Sequence, residues 1–372
     1  MIIGVPKEIK DHEYRVSLTP AGVQQLVSDG HKVLVQIGAG KGSSLSDDDY
    51  RRAGADMVKS TPKIYEAADL IVKVKEPQPG EYKFLREDQI LFTYLHLAPE
   101  PDLTRELLKR KINAVAYETV QLDDGSLPLL TPMSEVAGRM AVHEGAKYLE
   151  SARGGKGVLL SGVPGVRPGV VTILGGGTAG LNAAKTAVGL GARVNILDIS
   201  LPRLRFLDDI LTNVTTLIYT PLALEELLPS TDVLIGAVLL QGARAPKLIT
   251  TKMLKLMERG SVIVDVCIDQ GGCLETSRPT THSDPTYIVE GVVHYCVTNM
   301  PGAVAHTSTF ALTNATFPYV QKLASLGFAG AVRQDASLAR GVNIRRGCLT
   351  NRAVAEALKR KYTPLADILA GE

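Results

Sequence analysis

The sequence is poor in cysteine, in charge of one sign and in long apolar runs. Its 372 residues include four cysteines, none of them in a CxxC pair, and the formal net charge is +2. Cysteines this scattered do not form the clustered ligand set that structural zinc needs. Because the sequence has no basic stripe, nucleic acid is not an expected partner. Cys267 and Cys296 lie within apolar segments, so we expect both to be buried, reduced thiols.

Signals for export and for membrane insertion are also missing. The opening residues, MIIGVPKEIK, lack the basic region followed by an apolar region that marks a secretory signal. No run of about 18 apolar residues is present, so we expect no membrane span. Together with reduced thiols, these absences favour a cytoplasmic protein.

Apolar, β-branched runs alternate with helical patterns along most of the chain. At roughly 100–200 residues per domain, its length predicts two domains. Strands are predicted at 2–5, 31–37, 69–74, 89–95 and 113–117, and again at 170–174, 193–197, 232–239, 261–269 and 292–297. Longer helices are predicted at 134–150 and 311–323. The alternation predicts an α/β fold of two doubly wound, Rossmann-like domains with a cleft between them.

A glycine-rich loop, Gly175-x-Gly177-x-x-Gly180, joins one predicted strand to a helical stretch. Such glycines permit a tight turn and a close approach of the backbone to a pyrophosphate, and the helix N-terminus favours phosphate groups. The motif in this setting predicts a dinucleotide site. We therefore expect residues 131–306 to form an NAD-binding domain, and residues 1–130 with 307–372 to form the substrate-binding and catalytic domain.

Asp198 ends the next predicted strand and bears on the choice of dinucleotide. A carboxylate at this point accepts hydrogen bonds from the adenosine ribose and repels a 2′-phosphate. Arg203 follows closely and could instead favour that phosphate. NAD is the expected cofactor, with NADP and a simple strand-end cap left as alternatives for this pair.

Three predicted strands of the first domain are followed by chemically useful side chains. Lys75 and His96 each stand at such a strand end, and Glu118 follows a third. Lysine can hold a carboxylate or polarise a carbonyl oxygen, and histidine can move protons near neutral pH. Arg15, beyond the first strand, could bind a carboxylate through its planar fork. The alternative for each is an ordinary solvated side chain.

Asp269 follows the predicted strand 261–269 of the second domain. Ligands of open α/β sheets bind outside the carboxyl ends of the strands. Asp269 is therefore expected beside the nicotinamide end of the cofactor site. Its alternative role is a cap on the glycine turn that follows.

Several longer motifs resemble the alanine dehydrogenase family. They are GVPKE at 4–8, VKVKEP at 72–77, LFTYLHL at 91–97, PLLTPMSEVAGR at 128–139, GVPGV at 162–166, VDVCIDQGG at 264–272 and NMPG at 299–302. The resemblance covers nearly the whole chain. It implies a reversible oxidative deamination in which L-alanine, NAD and water give pyruvate, ammonium and NADH, and it implies a homohexamer.

The resemblance also implies individual roles. Arg15 and Lys75 would bind the substrate carboxylate and carbonyl oxygen, Met133 and Asn299 would line the pocket, and His96 with Asp269 would be catalytic. The implied NAD contacts are Ser134, Gly175, Gly177, Thr178, Ala179, Gly180, Asp198, Arg203, Thr220, Val238, Leu239, Val266, Cys267, Ile268, Asp269, Arg278, Val297, Thr298, Asn299 and Met300. Leu326 stands where some relatives carry histidine, so no metal ligand set is assigned around Glu118.

Three other functions compete with this one. The NAD-binding part of a proton-translocating transhydrogenase is expected to share the fold, but hydride exchange between nucleotides needs neither Lys75 nor His96. A saccharopine dehydrogenase would need a wider cleft for its larger substrate. A non-enzymatic NAD sensor would leave Lys75, His96 and Asp269 without a role.

Overall fold

The computed structural model of the chain describes residues 1–238 and 245–371. It divides into two compact units, Met1–Met133 with Val304–Glu372, and Ser134–Ala303. Each unit is an α/β structure built on a mostly parallel sheet, so the predicted fold class is confirmed. No helix among the described residues is both long and apolar enough to cross a membrane.

The first unit opens with six parallel strands. They are β1 (Ile2–Val5), β2 (Lys32–Gln36), β3 (Asp56–Val58), β4 (Leu70–Val72), β5 (Ile90–Thr93) and β6 (Asn113–Ala116). The helices between them are α1 (Pro20–Ser28), α2 (Asp47–Arg52), α3 (Thr61–Ala67) and α4 (Pro101–Lys109). The strands lie in the order β3-β2-β1-β4-β5-β6, which is the Rossmann order and places the topological switch point between β1 and β4.

The second unit repeats this arrangement, after α5 (Thr131–Tyr148). Its strands are β7 (Val170–Leu174), β8 (Arg193–Asp198), β9 (Val214–Ile218), β10 (Val233–Gly236), β11 (Val262–Asp265), β12 (Thr286–Val289) and β13 (Val292–Tyr295). Its helices are α6 (Thr178–Gly189), α7 (Leu201–Ile210), α8 (Pro221–Leu227) and α9 (Thr251–Leu254). The order is β9-β8-β7-β10-β11-β13, with β12 antiparallel at the edge, so the switch point lies between β7 and β10.

The tail completes the sheet of the first unit. It contains α10 (Ala305–Gln334), α11 (Ala336–Arg340), β14 (Val342–Arg345), β15 (Cys348–Leu349), α12 (Arg352–Ala357) and α13 (Leu365–Leu369). Strand β14 pairs antiparallel with β6, and β15 pairs with β14. Helix α10 is longer than the predicted 311–323 and is kinked at Gly327, where φ is 68°.

Short 3₁₀ helices occur at several connections. They span Lys41–Ser43, Tyr82–Phe84, Tyr117–Thr119, Ser151–Arg153, Leu228–Ser230, Ile268–Gln270 and Met300–Val304. Three of them, Tyr117–Thr119, Ile268–Gln270 and Met300–Val304, carry residues that the sequence singled out.

Apolar side chains fill a separate core in each unit. In the first unit, strand residues such as Leu91 and Ile344 pack against Ile64 of α3 and Leu107 of α4. In the second unit, strand residues including Leu174, Leu197, Leu234 and Ile263 pack against Leu224, Met253 and Leu254 of α8 and α9. The predicted burial of Cys267 and Cys296 is confirmed, and all four cysteines are free thiols.

At three of the strands that end earlier than their apolar runs predict, a side-chain carboxylate takes a backbone N–H two or three residues beyond the strand end. Beyond β4, the N–H of Val74 donates to Glu8 at 2.7 Å. Beyond β5, the N–H of His96 donates to Glu118 at 2.6 Å. Beyond β11, the N–H of Cys267 donates to the carboxylate of Asp265 at 3.0 Å. In each case the chain leaves the sheet without leaving that N–H unsatisfied.

Lys73 is fully buried within the first unit. Its ammonium lies 3.1 Å from both Glu8 and Glu81, and Tyr65 donates to Glu81 at 2.9 Å. Burial by itself would lower the pKa of Lys73, but the two carboxylates outweigh it and raise that pKa. The lysine is therefore charged and holds the two acidic side chains together inside the unit.

Lys73→Met should destabilise the first unit strongly, because Glu8 and Glu81 would remain buried without their cation. Breaking a buried ion pair from one side costs about 3–5 kcal/mol. At about 2–4 °C per kcal/mol for a unit of this size, the midpoint of thermal unfolding should fall by roughly 6 °C or more.

The matched control is Lys63→Met, which removes an exposed lysine from α3 and should change stability by no more than about 0.5 kcal/mol. Equal midpoints for the two variants would show that the buried carboxylates do not need Lys73.

Candidate active site

Arg15 and Lys75 follow β1 and β4, the two strands that flank the switch point of the first unit. Arg15 is only 2% exposed. Its Nε lies 2.7 Å from Oε1 of Glu13 and its Nη2 lies 2.5 Å from Oε2. Its Nη1 lies 3.0 Å from the sulfur of Met133. The guanidinium is thus fixed on two sides, by a bidentate carboxylate and by a thioether.

Glu13 is buried with Arg15 and stays ionised. Burial alone would raise its pKa, but the charge and hydrogen bonds of Arg15, together with the charge of Lys75, lower that pKa to about 2. Burial would likewise lower the pKa of Arg15, and Glu13 raises it. One carboxylate is therefore in contact with Arg15 and feels the charge of Lys75, the two cations that were predicted to bind substrate.

The backbone around Lys75 is held by neighbouring strands. The hydroxyl of Thr93 donates to the carbonyl of Lys75 at 3.0 Å, and Val74 is anchored by Glu8 as described above. Lys75 itself is half-buried. Its position is therefore set by rigid elements, which suits a residue that must meet a substrate at a defined point.

His96 lies in the left-handed region, with φ of 47°. This conformation costs a non-glycine residue about 1–2 kcal/mol, and here the Glu118 carboxylate supports it by accepting N–H groups of both Leu95 and His96. The imidazole stacks on Tyr94, with ring centroids 5.7 Å apart and an interplanar angle of 4°. Its Nδ1 lies 3.9 Å from Glu118. The side chain is 46% exposed, so it can reach a ligand.

Tyr94 links these groups. Its hydroxyl donates to the carbonyl of Leu129 at 2.6 Å. The pKa of Tyr94 is raised, chiefly by burial. The charge of Arg15 opposes this increase, and the charges of Glu118 and Glu13 add to it. Within the first unit, direct contacts join Arg15 to Met133 and His96 to Tyr94.

The glycine loop of the second unit connects β7 to α6. Gly175 has φ of 94°, and a Cβ there would come within 2.6 Å of the carbonyl oxygen of Ala237. A Cβ on Gly180 would collide with the carbonyl oxygen of Gly175. Gly177 precedes the first residue of α6, Thr178, and a Cβ on Gly177 would meet nothing within 4 Å. The backbone is thus closely packed at Gly175 and Gly180, and it is open at Gly177, where a phosphate would lie.

Asp198 and Arg203 both bind the glycine loop. The N–H of Gly176 donates to the Asp198 carboxylate at 2.7 Å, and Ser200 donates to it at 2.8 Å. The Nε of Arg203 donates to the carbonyl of Gly176 at 2.5 Å. The residues present therefore fit a dinucleotide: an open glycine turn, a helix N-terminus and a carboxylate beside them.

Asp265 organises the turn after β11. Its carboxylate accepts the N–H groups of Cys267 and Cys273 at 3.0 and 3.1 Å and the hydroxyl of Ser277 at 2.6 Å. Cys267 also accepts the N–H of Val238 at 3.1 Å, which links the ends of β10 and β11. Oxygen and sulfur atoms of Asp265, Cys267 and Cys273 lie within 4.8 Å of one another, but the carboxylate is already engaged as the hydrogen-bond centre of this turn.

Asp269 is exposed on the 3₁₀ helix Ile268–Gln270, rather than at a strand end as the run 261–269 predicted. Asn299 has φ of 57°, and its carbonyl accepts the N–H of Gly302 at 2.8 Å. Leu239 lies outside the described residues.

The other predicted NAD contacts take varied positions in the second unit. Thr220 caps α8 by accepting the N–H of Ala223 at 3.0 Å, and Arg278 stacks on Tyr287, with 4.3 Å from its Cζ to the ring centroid. Ser134, Ala179, Val266 and Thr298 are half-buried, whereas Ile268, Val297 and Met300 are buried. Contact of any of them with NAD stays a prediction.

Sequence analysis missed Glu13 and Tyr94. The alternation Glu13-x-Arg15 places opposite charges two residues apart, which is a weak signal because most such pairs are solvated. Tyr94 stands two residues before His96 in the same motif, and its stacking could not be inferred from spacing. Glu118 was noted as a strand-end residue, but its support of the His96 backbone was not.

Comparisons with known proteins match both halves of the chain. A family model described as the alanine dehydrogenase/PNT N-terminal domain matches residues 4–137, and one described as the alanine dehydrogenase/PNT C-terminal domain matches residues 141–352. An alanine dehydrogenase of Halomonas elongata is 56% identical over 99% of this chain and 100% of its own. One of Methanococcus maripaludis is 55% identical over 98% of both chains.

Solved structures show the same relationship. A structure named L-alanine dehydrogenase superposes with a TM-score of 0.94 at 51% identity, covering 96% of this chain and 99% of that one. A transhydrogenase from Sinorhizobium meliloti, at 22% identity over 94% of this chain and 100% of its own, has a TM-score of 0.83 and shares the fold. From its sequence, its fold and the residues around its switch points, this chain belongs to the alanine dehydrogenase/PNT family.

Proposed function

We propose that the protein catalyses the NAD-dependent, reversible oxidative deamination of L-alanine to pyruvate and ammonium. The observation that carries the proposal is that Arg15, Lys75 and His96 follow β1, β4 and β5, three neighbouring parallel strands of the first unit. A guanidinium, an ammonium and an imidazole together can bind a carboxylate, polarise a carbonyl oxygen and move a proton. The names of relatives that are 55–56% identical support the same reaction.

The second unit would hold the cofactor. The loop from Gly175 to Gly180 would receive the pyrophosphate at the N-terminus of α6, and Asp198 would bind the adenosine ribose. When bound, NAD accepts a hydride from the α-carbon of the amino acid. Residues 131–306 accordingly form the proposed cofactor domain, and residues 1–130 with 307–372 form the proposed substrate domain.

The first unit would hold the amino acid. We assign Arg15 to the substrate carboxylate and Lys75 to the oxygen that becomes the carbonyl of pyruvate, with Met133 beside them. Lys75 stabilises negative charge as it develops on that oxygen, and a half-buried ammonium does so better than one in bulk water. Asn299 is proposed as a further substrate-binding residue.

His96 and Asp269 would move the protons. Deamination takes a proton from the attacking water and later returns one to the leaving ammonia. An imidazole serves both steps because it titrates near neutral pH. Asp269 is proposed to orient or protonate the water and ammonia species during the carbinolamine steps, for which an exposed carboxylate on a short helix has the needed oxygens.

The alternatives explain less of the site. A transhydrogenase moves hydride between two nucleotides and would leave the Lys75 and His96 arrangement unused. A saccharopine dehydrogenase requires room for a much larger substrate, and an NAD sensor requires no proton-transfer group. We also propose that the protein forms a homohexamer and that it works in a reducing, cytoplasmic setting. Sedimentation of the purified protein would test the size of the oligomer.

Asp198→Asn should shift cofactor preference from NAD towards NADP, because the amide keeps a hydrogen-bond acceptor for Gly176 but no longer repels a 2′-phosphate. Hydrogen bonds to charged groups contribute about 1.5–3 kcal/mol, so we expect roughly a 10–100-fold change in the ratio of kcat/KM for the two cofactors. Asp198→Gly should shift the ratio in the same direction and also loosen the loop. Unchanged preference in both variants would refute the assignment of Asp198.

Lys75→Ala should lower kcat/KM for L-alanine by about 10²-fold or more, in line with the loss of about 3 kcal/mol when one oxyanion donor is removed. NADH affinity, measured by fluorescence titration, should not change, since Lys75 lies in the other unit. Lys10→Ala is the matched control, because Lys10 pairs with Glu76 at 2.5 Å and has no proposed contact with substrate. A fully active Lys75→Ala enzyme would contradict the substrate assignment.

His96→Ala should lower turnover of L-alanine by at least ~10²-fold, the lower range for general acid–base catalysis, while NADH still binds. His96→Asn should behave alike and is the safer variant, because asparagine tolerates the left-handed backbone better than alanine.

His143→Ala, which removes an exposed histidine from α5, is the control and should remain active. Near-normal turnover by a folded His96→Asn enzyme would rule out the proposed proton transfer.

A further inference from the structure

Glu13 is buried against Arg15, one of the two proposed substrate cations, yet the proposed proton and hydride transfers do not use it. It is 5% exposed, binds Arg15 through two side-chain hydrogen bonds of 2.7 and 2.5 Å, and also accepts the backbone N–H of Arg15 at 3.0 Å. Lys75 is the other cation whose charge acts on it. A carboxylate in this position is costly to bury, so a role beyond holding one side chain is worth seeking.

We propose that Glu13 is a specificity-determining residue that selects substrates with a single carboxylate by cancelling one of the two positive charges of Arg15 and Lys75. Arg15, Lys75 and Glu13 together carry a formal charge of +1, which matches one carboxylate. Without Glu13 the same group would carry +2 and would attract a dianion more strongly. The inference rests on the proposed function, in which Arg15 and Lys75 bind the substrate.

The geometry supports charge selection in a second way. Arg15 has two edges that can bind a carboxylate bidentately, and Glu13 occupies the edge formed by Nε and Nη2. A substrate that brought a second carboxylate to this place would meet the negative charge of Glu13. Glu8, the next carboxylate, is held by Lys73 and is present in every variant considered below, so its contribution cancels in their comparison.

Oxamate and oxalate form a matched pair of probes. Both are small planar analogues of pyruvate with the same number of heavy atoms, but near neutral pH oxamate carries one negative charge and oxalate carries two. Their affinities for the full-length protein saturated with NADH would be measured by titration calorimetry. The ratio of the two dissociation constants isolates charge, because size and shape are nearly constant.

Glu13→Gln should move this ratio towards oxalate by at least ~10-fold, because it removes a negative charge that lies at hydrogen-bond distance from Arg15, the group proposed to bind the anion. In a partly desolvated site such a charge is worth at least the ~1.4 kcal/mol of a tenfold change. Glutamine preserves the shape and one acceptor oxygen. Glu13→Asp keeps the charge, and its ratio should stay near that of the unmodified protein.

Arg15→Gln changes the charge in the opposite sense and keeps the inference testable if Glu13→Gln fails to fold. For this variant the ratio of the two dissociation constants should shift in favour of oxamate, also by ~10-fold or more. The double variant Glu13→Gln/Arg15→Gln restores the formal charge of +1, so its ratio should return to the original value although both affinities fall.

The possible outcomes are distinct. Opposite shifts in the two single variants and their cancellation in the double variant would support charge selection. An unchanged ratio, with both anions weakened equally by Glu13→Gln, would overturn it and leave Glu13 as a holder of Arg15 alone. If the unmodified protein bound neither anion, the substrate-binding proposal would itself fail, and an unimpaired Lys75→Ala enzyme would identify that failure independently.

Discussion

At three strand ends a side-chain carboxylate accepts backbone N–H groups as the chain leaves the sheet, and the candidate functional residues of each unit depend on this interaction. Glu8 receives the chain beyond β4, Glu118 beyond β5 and Asp265 beyond β11. An amide left unsatisfied at such a point would cost about 1–3 kcal/mol. By accepting these hydrogens, the carboxylates allow the chain to turn sharply, and the turns present Lys75, His96 and the loop that contains Asp269.

Buried charges in the first unit are likewise held by a small number of specific contacts. Lys73 lies between Glu8 and Glu81, and Glu13 lies against Arg15. Ion pairs of this kind add little to stability compared with apolar residues of similar size, but removing one partner is expensive. They therefore fix charges in defined places. A pocket built on such pairs presents the same electrostatic potential to every ligand that enters, since its charged groups have little freedom to rearrange.

Local sequence patterns predicted much of the fold. They predicted few of the contacts between pairs of residues in the candidate site. The strand–loop–helix unit around Gly175 could be predicted because every element that defines it lies within a short stretch of sequence. Strand β14 was missed because it is short, contains Asn343 and Arg345, and is a strand only by pairing with β6. The contact between Glu13 and Arg15 depends on burial, which sequence spacing does not reveal, and the same is true of the stacking of Tyr94 on His96.

The left-handed backbone at His96 also limits what this position can become during evolution. Glycine adopts that conformation with ease, and asparagine, aspartate and histidine adopt it more often than other residues. Glu118 supports it through the main chain, whatever side chain is present. A duplicated copy freed from its chemistry could therefore drift at position 96 to asparagine or glycine with the turn intact. Valine or isoleucine would strain the turn at once. The scaffold thus leaves open a narrow route by which a catalytic member of the fold could give rise to a ligand-binding descendant.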